Sequence, residues 1–231
     1  MRSTQRRSLL QAFGLGGLFG APAMMAATQP ASASPRRETL VIDVAILGHT
    51  NYSNRDGAAN RVLGPDGWRQ SDLRGTNYYF EGLVYAGGTI PDPAAGDVNA
   101  VVWNFAKPPI GSYFNRGWIM INNKTDPPYE RREHPHLLSH ADCYLGGVVG
   151  PDNLSPTDML QTTGTEHGEP PRDTVRRAVT GGTGRFASVR GEVIQTSLGR
   201  NTLPLRGMPV PRPEPPLSPN YRLTFNLWLW D

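Results

Sequence analysis

Short runs of apolar and β-branched residues recur along the chain, and turn-forming residues separate them. No window of ten or more residues shows the 3.6-residue stripe of an amphipathic helix. The runs are typical of β-strands, and they cover residues 39–50, 78–90, 97–108, 111–122, 136–150, 174–182, 185–199 and 221–230. Seven or eight strands with short links predict an antiparallel sandwich or barrel, and the lack of helical crossovers disfavours a parallel α/β fold.

The last predicted strand alternates clearly between two faces. One face carries Tyr221, Leu223, Phe225, Leu227 and Leu229. The other carries Arg222, Thr224, Asn226, Trp228 and Trp230. Because both faces are partly apolar, neither is expected to be fully solvated. A small closed barrel explains this pattern, with one face lining the interior and the other meeting a partner or a covering loop.

Two segments depart from the strand pattern. Residues 155–161 predict a short helical turn, with Ser155 as N-cap and Pro156 at the first helical position. Residues 203–220 hold seven prolines and predict a long loop. That loop either lies over the barrel surface or forms a mobile excursion.

The first 35 residues predict an export signal rather than part of the fold. The pair Arg6-Arg7 precedes a short apolar run broken by glycines, and a small-residue exit follows near Ala31-Ser32-Ala33. This order is typical of a signal peptide, and the paired arginines indicate the twin-arginine route. The glycines and Pro22 disfavour an uncleaved membrane anchor. We therefore expect one domain over residues 36–231, secreted or periplasmic, without stable membrane insertion after cleavage.

Removal of the signal changes the charge of the chain. Three of its 23 basic residues lie in residues 1–35 and none of its 20 acidic residues does, so the remainder carries 20 of each sign. This balance removes the main reason to expect a nucleic acid as partner. The single cysteine, Cys143, excludes an intrachain disulfide.

The stretch Val-Thr-Gly-Gly-Thr-Gly at residues 179–184 resembles the phosphate-binding turn of a Rossmann unit at first sight. No helix follows it to point its N-terminus at a pyrophosphate, and about forty residues remain after it, too few for a nucleotide domain. The glycines instead predict a tight hairpin between two strands, because they accept positive φ without a Cβ penalty.

This hairpin resembles the signature of the allene oxide cyclase-like barrel superfamily, which includes the plant dirigent proteins. The matching residues are Gly-Gly-Thr-Gly-Arg-Phe at 181–186 and Val-Arg-Gly-Glu at 189–192. Weaker matches lie at 80–89 and 110–118, and the order agrees from about residue 40 to residue 230. Val189 replaces the usual alanine, the disulfide cysteines of many plant dirigent proteins are missing, and the catalytic set of plant allene oxide cyclases has no convincing match.

The resemblance implies an all-β fold, a small antiparallel eight-stranded barrel with a central hydrophobic cavity. It also implies a homo-oligomer, dimer or trimer, and a small hydrophobic or aromatic ligand. If the protein is an enzyme, the resemblance implies an isomerase, a cyclase or a dirigent-type template for a reactive substrate. No organic cofactor is implied. The alternative is a non-catalytic ligand-binding or surface-associated module, in which Trp228 and Trp230 contact partners.

Candidate site residues come first from the two leading strands. Asp43, Tyr79, Glu81 and Tyr85 share the odd-numbered faces of those strands. If that face lines the cavity, it places carboxylates and phenols in an apolar chamber. Alternatively, Asp43 and Glu81 face solvent or pair with arginines. Both alternatives are open at this point.

Further candidates come from the two last strands. Arg190 matches the Arg-Gly position at which, by resemblance, dirigent proteins keep a cavity arginine. It would either hold a ligand oxygen or neutralise a carboxylate. Glu192 shares the parity of Arg190, and Asn226 on the final strand is a further ligand-binding candidate.

The histidines form a separate hypothesis. His134, His136, His140 and Asp142 share one parity, as a metal constellation would. Such a pattern raises a cupin as a rival fold, but the other motifs of a cupin are missing. Pro135 and its charged neighbours predict that His134 and His136 lie in a loop. We therefore predict no metal site and leave the role of the histidines open.

Overall fold

The computed structural model describes residues 34–52, 77–121, 136–153, 156–167, 174–204 and 217–230. They form nine β-strands and two short 3-10 turns. The strands are β1 (Arg36–Tyr52), β2 (Asn77–Ala86), β3 (Val101–Trp103), β4 (Gly111–Ile121), β5 (His136–Tyr144), β6 (Met159–His167), β7 (Val175–Thr183), β8 (Arg190–Pro204) and β9 (Leu217–Leu229). No helix among these residues has the length and apolar character needed to cross a membrane.

Eight of the strands close into an antiparallel barrel. Their order around the wall is β1-β2-β4-β5-β6-β7-β8-β9, and β9 pairs with β1 to complete the circle. Only β3 lies outside the circle, where it pairs in parallel with β8. The predicted all-β, eight-stranded antiparallel barrel is therefore confirmed, with one additional strand.

The barrel interior is filled by alternate residues of each strand. β1 contributes Ile42, Val44 and Ile46, and β9 contributes the face that carries Phe225 and Leu227. The even-numbered face of β1 and the odd-numbered face of β9 thus point inward. The sequence pattern predicted the apolar face of β9 correctly, because only side chains on one side of a closed wall can pack together.

A second, smaller core lies on the outer surface of the barrel. Residues 87–110, called the cover here, pack Ile90 and Trp103 against Ala45, Tyr85 and Leu198 of the wall. Both faces of β1 are consequently buried between residues 42 and 46. A polar–apolar alternation normally distinguishes the inner face of a strand from the outer face. In β1 both faces are buried, so this alternation is missing.

Three local predictions need correction. Residues 159–161, predicted as part of a helical turn, begin strand β6. The predicted strand at 97–108 is only three residues long in the structure, where it is β3. The predicted proline-rich loop loses both of its ends to strands, because β8 continues to Pro204 and β9 begins at Leu217. The rest of that loop lies outside the described residues. β6 escaped prediction because most of its residues between 161 and 167 are polar.

The glycine hairpin has the predicted form. β7 ends at Thr183, a 3-10 turn covers Gly184–Phe186, and β8 begins at Arg190. Gly184 has φ +59°, and a Cβ there would collide with the side chain of Asp158. Phe186 returns into the barrel and is buried in the main core. The glycines therefore serve a tight chain reversal.

Candidate ligand-binding site

The barrel interior differs between its two halves. The half nearest the glycine hairpin is filled by apolar side chains that include Phe186, Val189 and Leu227. The other half holds a group of buried polar side chains, called the polar half here. Its members are Tyr78, Asn115, Ser139, Glu166, Arg177 and Gln195. A charged pair inside a barrel needs a reason, because burying two charges is costly.

A cavity lies against the polar half. Its lining consists of Ile46, Phe80, Tyr113, Asn115, Leu137, Glu166 and Tyr221. The empty space among these residues is about 310 Å³, counted to include the part open to solvent. Apolar and aromatic side chains form most of the wall, and Glu166 supplies a carboxylate. Such a mixture is typical of small-molecule sites.

The strands β6 and β7 bring the charged pair together. Glu166 lies near the end of β6 and points inward with Leu160 and Thr162. Arg177 lies on β7 between Val175 and Val179, at the inward parity. Gly164 lies beside it, where a Cβ would come within 2.9 Å of Arg177 Cγ. The missing side chain at Gly164 therefore leaves the space through which Arg177 reaches Glu166.

Both carboxylate oxygens of Glu166 accept hydrogen bonds from side chains. Oε1 accepts from Asn115 Nδ2 at 2.6 Å and from the Tyr78 hydroxyl at 3.1 Å. Oε2 accepts from Arg177 and from Gln195 Nε2, each at 3.4 Å. Two donors on each oxygen occupy the lone pairs of a carboxylate.

Arg177 is held by neutral groups as well as by Glu166. One terminal nitrogen donates to Ser139 Oγ at 2.9 Å and the other to Gln195 Oε1 at 2.8 Å. Ser139 in turn donates to Asn115 Oδ1 at 2.8 Å. The guanidinium pKa is raised above its usual value by Tyr113 and Glu166, which outweigh the lowering effect of burial. Arg177 is therefore a permanent cation in the barrel interior.

The tyrosines around the pair stay protonated. Burial raises the pKa of Tyr78, of Tyr113 and of Tyr221, and the charge of Glu166 raises each of them further. The charge of Arg177 opposes the shift for Tyr113 and Tyr221 without reversing it. These phenols act as neutral hydrogen-bond donors near physiological pH.

The structure places Asp43 on the outer side of the wall, not in the cavity. Its carboxylate accepts from Arg222 Nε at 2.9 Å and from the backbone N–H of Ile90 at 2.9 Å. Arg222 also bonds Asp92 at 2.7 Å and the carbonyl of Ile90 at 3.2 Å. Of the two alternatives, pairing with an arginine describes Asp43. Its burial comes from the cover and not from the barrel interior.

The other candidates from β2 also lie on the outer face. Glu81 is exposed, Tyr79 stacks on Phe114 with ring centroids 6.2 Å apart, and Tyr85 packs on Trp103 beneath the cover. The inward residues of β2 are instead Tyr78, Phe80, Gly82 and Val84, by their register with β4. The condition for a cavity role, that the odd-numbered face points inward, is therefore not met.

The candidates from β8 and β9 form part of an outer polar surface. Arg190 is exposed and donates to the carbonyls of Thr180 and Val189, the latter at 2.9 Å. Glu192 pairs with Arg176 at 3.0 Å and accepts from Asn226 Nδ2 at 3.3 Å. Arg190 therefore lies on the outside of β8, and the arginine inside the barrel is Arg177 on the neighbouring strand β7.

The histidine hypothesis meets the described structure only at His140. Its Nδ1 lies 2.9 Å from Thr163 Oγ1, and its Nε2 lies 3.7 Å from Asp142 Oδ1, on the outer face of the wall. His134 and the side chain of His136 lie outside the described residues. Within the described part of the chain, no three His, Cys, Asp or Glu side chains come together as metal ligands would.

Sequence reasoning missed Glu166, Arg177, Tyr113 and Asn115. A signal existed for Arg177, because a charged residue between Val175 and Val179 interrupts the apolar face of a predicted strand. Strand β4 was predicted with nearly its observed bounds. Tyr113 and Asn115 on it were missed because the sequence did not show which of its faces points inward. No such signal marked Glu166, because β6 itself was not predicted.

The arrangement can bind and orient a small molecule against a fixed set of dipoles. The pair Glu166–Arg177 is neutral overall and creates a field across the adjacent space, where few water molecules can weaken it. Protonated phenols beside the pair can donate hydrogen bonds to a ligand oxygen. These are the elements of positioning and electrostatic stabilisation.

Comparison with known proteins identifies the fold. No protein-family model and no curated protein matches the sequence. The solved pterocarpan synthase dirigent protein PsPTS1 is similar, with a TM-score of 0.50 and 11% identity over 86% of this chain and 98% of that chain. The dirigent protein GePTS1, also a pterocarpan synthase, gives a TM-score of 0.49 and 10% identity over 90% and 96%.

A third solved structure comes from a bacterium. The Diels Alderase AbmU from Streptomyces koyangensis gives a TM-score of 0.43 and 16% identity over 86% of this chain and 71% of that chain. At these sequence identities, structural similarity is evidence for the fold alone. The antiparallel closure, the glycine hairpin and the likeness to PsPTS1 agree, and the chain folds as a dirigent-like barrel of the allene oxide cyclase-like kind.

Proposed function

We propose that the protein binds a small hydrophobic or aromatic molecule in the cavity beside Glu166 and Arg177. The observation that carries the proposal is a buried ion pair placed against empty space in a barrel whose other half is packed with apolar side chains. Apolar residues would fill that half at lower cost in free energy, so the polar half serves a purpose other than stability.

The size of the cavity limits the ligand. The empty space of about 310 Å³ includes open solvent, and the part that a water-sized sphere can occupy is about 20 Å³, enough for about one water molecule. An enclosed space of about 150 Å³ is sufficient for benzene. A compound with one ring would therefore enter only as side chains of the wall, such as Phe80 and Leu137, move apart to admit it.

The chemistry we propose is isomerisation, cyclisation or templated coupling of a substrate that is already reactive. The walls would hold one conformer and exclude water, and the Glu166–Arg177 field would favour one distribution of charge in it. The likeness in fold to a protein named as a pterocarpan synthase supports a small-molecule reaction in this barrel. The proposal includes no organic cofactor.

A pair of neighbouring leucines tests the location of the site. Leu137 lines the cavity, whereas Leu138 faces the outside of the same strand. We expect fluorobenzene, followed by ¹⁹F NMR, to bind the wild-type protein and the Leu138→Phe variant equally. In Leu137→Phe the added ring occupies the space, and affinity should fall at least about tenfold, the equivalent of about two lost methylene contacts. Equal binding by both variants, or no binding by the wild type, would contradict the proposal.

A non-catalytic binding or surface-associated module is the second candidate. It is supported by two exposed aromatic side chains, Trp118 and Trp230, which are 47% and 43% exposed and available for contacts with another molecule. Native mass spectrometry of protein recovered after export from its host would report retained ligand, metal and subunit number together. If the retained ligand is chemically unchanged after repeated cycles of binding and release, that result would favour a binding module over an enzyme.

The same measurement addresses the proposals on export and assembly. Arg6-Arg7 and the apolar run after it support export by the twin-arginine route. A mature mass that begins near Arg36, and a dimer or trimer in the native spectrum, are the expected results. Replacement of both arginines by lysine should retain the precursor in the cytoplasm.

A further inference from the structure

The polar atoms around the cavity divide into acceptors that are already occupied and donors that are not. Both oxygens of Glu166 receive two hydrogen bonds each from protein donors. The amide of Asn115 is partly occupied, since Nδ2 donates to Glu166 and Oδ1 accepts one hydrogen bond from Ser139. A ligand that enters beside Glu166 finds no vacant acceptor on its carboxylate.

Two tyrosine hydroxyls on the cavity wall are in a different situation. The Tyr113 side chain lies near enough to the Arg177 guanidinium for each to affect the pKa of the other, and because a guanidinium can only donate, the phenolic hydrogen of Tyr113 points elsewhere. The Tyr221 side chain lines the cavity, and its hydroxyl makes no hydrogen bond to another residue in the described part of the chain. Burial raises the pKa of both phenols, so both keep the hydrogen that they would donate.

From this division we infer that the cavity selects an uncharged ligand with a carbonyl-type acceptor oxygen, a ketone, enone or quinone, which Tyr113 and Tyr221 bind through their hydroxyl hydrogens. The inference rests on the proposed function, because it names the ligand class of the same cavity. It assigns specificity to two residues that face the cavity from strands β4 and β9.

The charges of the site exclude a carboxylate ligand. Glu166 already compensates Arg177, so a carboxylate would bring a second buried anion without a second cation. An alcohol or phenol would have to donate its own hydrogen to Asn115 Oδ1 or to a tyrosine oxygen, because the Glu166 carboxylate is fully occupied. A carbonyl ligand needs no such acceptor and can take a hydrogen bond from both tyrosines.

Two donors on a carbonyl oxygen also have a chemical consequence. They stabilise negative charge that develops on that oxygen when electrons of a conjugated system shift toward it. An electrocyclic or isomerising rearrangement of an enone needs this assistance and leaves the atoms of the substrate unchanged in number. The inferred contacts therefore agree with the proposed class of reaction.

The test uses acetophenone and α-methylstyrene, which match in shape and differ only by C=O against C=CH₂. We expect Tyr221→Phe and Tyr113→Phe each to weaken acetophenone binding about threefold to tenfold, the loss of one hydrogen bond. Binding of α-methylstyrene should stay within about twofold, since packing is unchanged. Tyr85→Phe, a buried tyrosine outside the barrel, is the matched control and should change neither probe. Benzoate should bind the wild type more weakly than acetophenone.

The infrared carbonyl stretch of bound acetophenone supplies a second measurement that a purely structural role would not move. It should fall in frequency on binding to the wild type and return toward the free value in the Tyr113→Phe/Tyr221→Phe protein. If Tyr113→Phe fails to fold, the single Tyr221→Phe variant carries the same comparison.

Each other result has a definite meaning. Equal loss of both probes in the tyrosine variants, an unshifted carbonyl stretch, or benzoate binding as tight as that of acetophenone would overturn the inference and leave the proposed function standing. If neither acetophenone nor α-methylstyrene binds the wild-type protein, both fail.

Discussion

Two buried carboxylate–arginine pairs lie on opposite sides of the same barrel wall. Outside, Arg222 Nε donates to the fully buried Asp43 at 2.9 Å, beneath the cover. Inside, Arg177 and Glu166 are 3.4 Å apart in the polar half, and both side chains are almost completely buried. Each pair joins an arginine to a buried carboxylate, but Arg222 is partly exposed whereas Arg177 is fully buried, and the remaining hydrogen-bond partners of the two pairs also differ.

The partners show what each pair does. Asp43 and Arg222 make their other hydrogen bonds to the N–H and carbonyl of Ile90 and to Asp92, so the outer pair fastens the cover to the wall. Within the described part of the chain, the hydrogen bonds of Glu166 and Arg177 go to side chains, and the cavity lies beside them. A pair bound to one segment stabilises it, whereas a pair set among side chains beside a cavity has the arrangement that the proposed ligand site requires. Buried charge alone does not separate these roles.

Removal of the inner arginine should have the largest effect. Arg177→Met leaves the buried Glu166 side chain without its cation, which costs about 3–5 kcal/mol. We expect the free energy of unfolding in urea to fall by this amount. The neighbouring Arg176 is the control, because its side chain is 62% exposed and pairs on the surface with Glu192. Arg176→Met should cost less than about 1 kcal/mol. Equal losses in the two variants would show that Glu166 does not depend on Arg177.

Removal of the outer arginine should have a smaller and more local effect. The Arg222 side chain is 21% exposed, so water can reach the space it leaves beside Asp43. We expect Arg222→Met to cost about 2–3 kcal/mol, less than an enclosed unpaired charge. Amide exchange should accelerate at Ile90 and Gly87 in the cover, while fluorobenzene binding stays unchanged. Slow exchange at Ile90 would mean that Asp43 alone holds the cover.

Sequence alone predicted the barrel because two of its requirements leave local marks. Tight reversals need glycine at positions such as Gly184, and a closed wall needs strands such as β9 with one consistently apolar face. Neither mark depends on distant residues. The fold was accessible for that reason, even where strand ends were misplaced by several residues.

The site was less accessible, because its position depends on which face of each strand points inward. On β1 and β2 the cover buries the outer face as well, so Asp43 and Tyr85 had the apolar surroundings of interior residues. On β6 the inward residues include Thr162 and Glu166, and polar inward residues erase the alternation that reveals a strand. Polar inward residues thus make β6, the strand that supplies the buried carboxylate, difficult to predict from sequence. Its position follows only from its register with the neighbouring strands.

Alkaline pH should act on the surroundings of the inner pair before those of the outer pair. Cys143 lies close enough to feel the charge of Arg177, and burial raises its thiol pKa from 9.0 to about 12. Between pH 9 and 10 the unfolded chain releases this proton while the folded protein retains it, so the free energy of unfolding falls as pH rises. The expected loss between pH 9 and 10 is about 1 kcal/mol, because the unfolded thiol is only half ionised at pH 9. Tyr85, near the outer pair, titrates higher, because burial raises its pKa above 10.0.

Urea unfolding at pH 8, 9 and 10 measures this slope. The Cys143→Ala variant has no thiol to titrate, so its stability should fall less over the same range, with a remaining decrease near pH 10 from the buried tyrosines whose pKa is raised. Its absolute stability will be lower because a small buried side chain is truncated. A wild-type slope no steeper than that of the variant would show that the thiol is accessible to water in the folded protein.

Replacing both members of the inner pair, or both members of the outer pair, by neutral residues should have the smallest effect on stability. These two double variants also distinguish the role of the inner pair from that of the outer pair. In Glu166→Gln/Arg177→Met, the carbonyl oxygen of residue 166 can still accept from Tyr78 and Asn115, and its amide can donate to Gln195 Oε1, which Arg177 no longer occupies. In Asp43→Asn/Arg222→Met, the side chain of residue 43 can still accept from the N–H of Ile90.

Exchange of a buried ion pair for neutral groups is often close to neutral in stability, so both double variants should unfold within about 1 kcal/mol of the wild type. Their ligand properties should differ. The outer double variant should keep the preference for acetophenone over benzoate, whereas the inner one loses the charged pair beside Tyr113 and should lose part of that preference. Equal ligand preference in the two variants would mean that the inner pair, like the outer one, serves only to hold the barrel together.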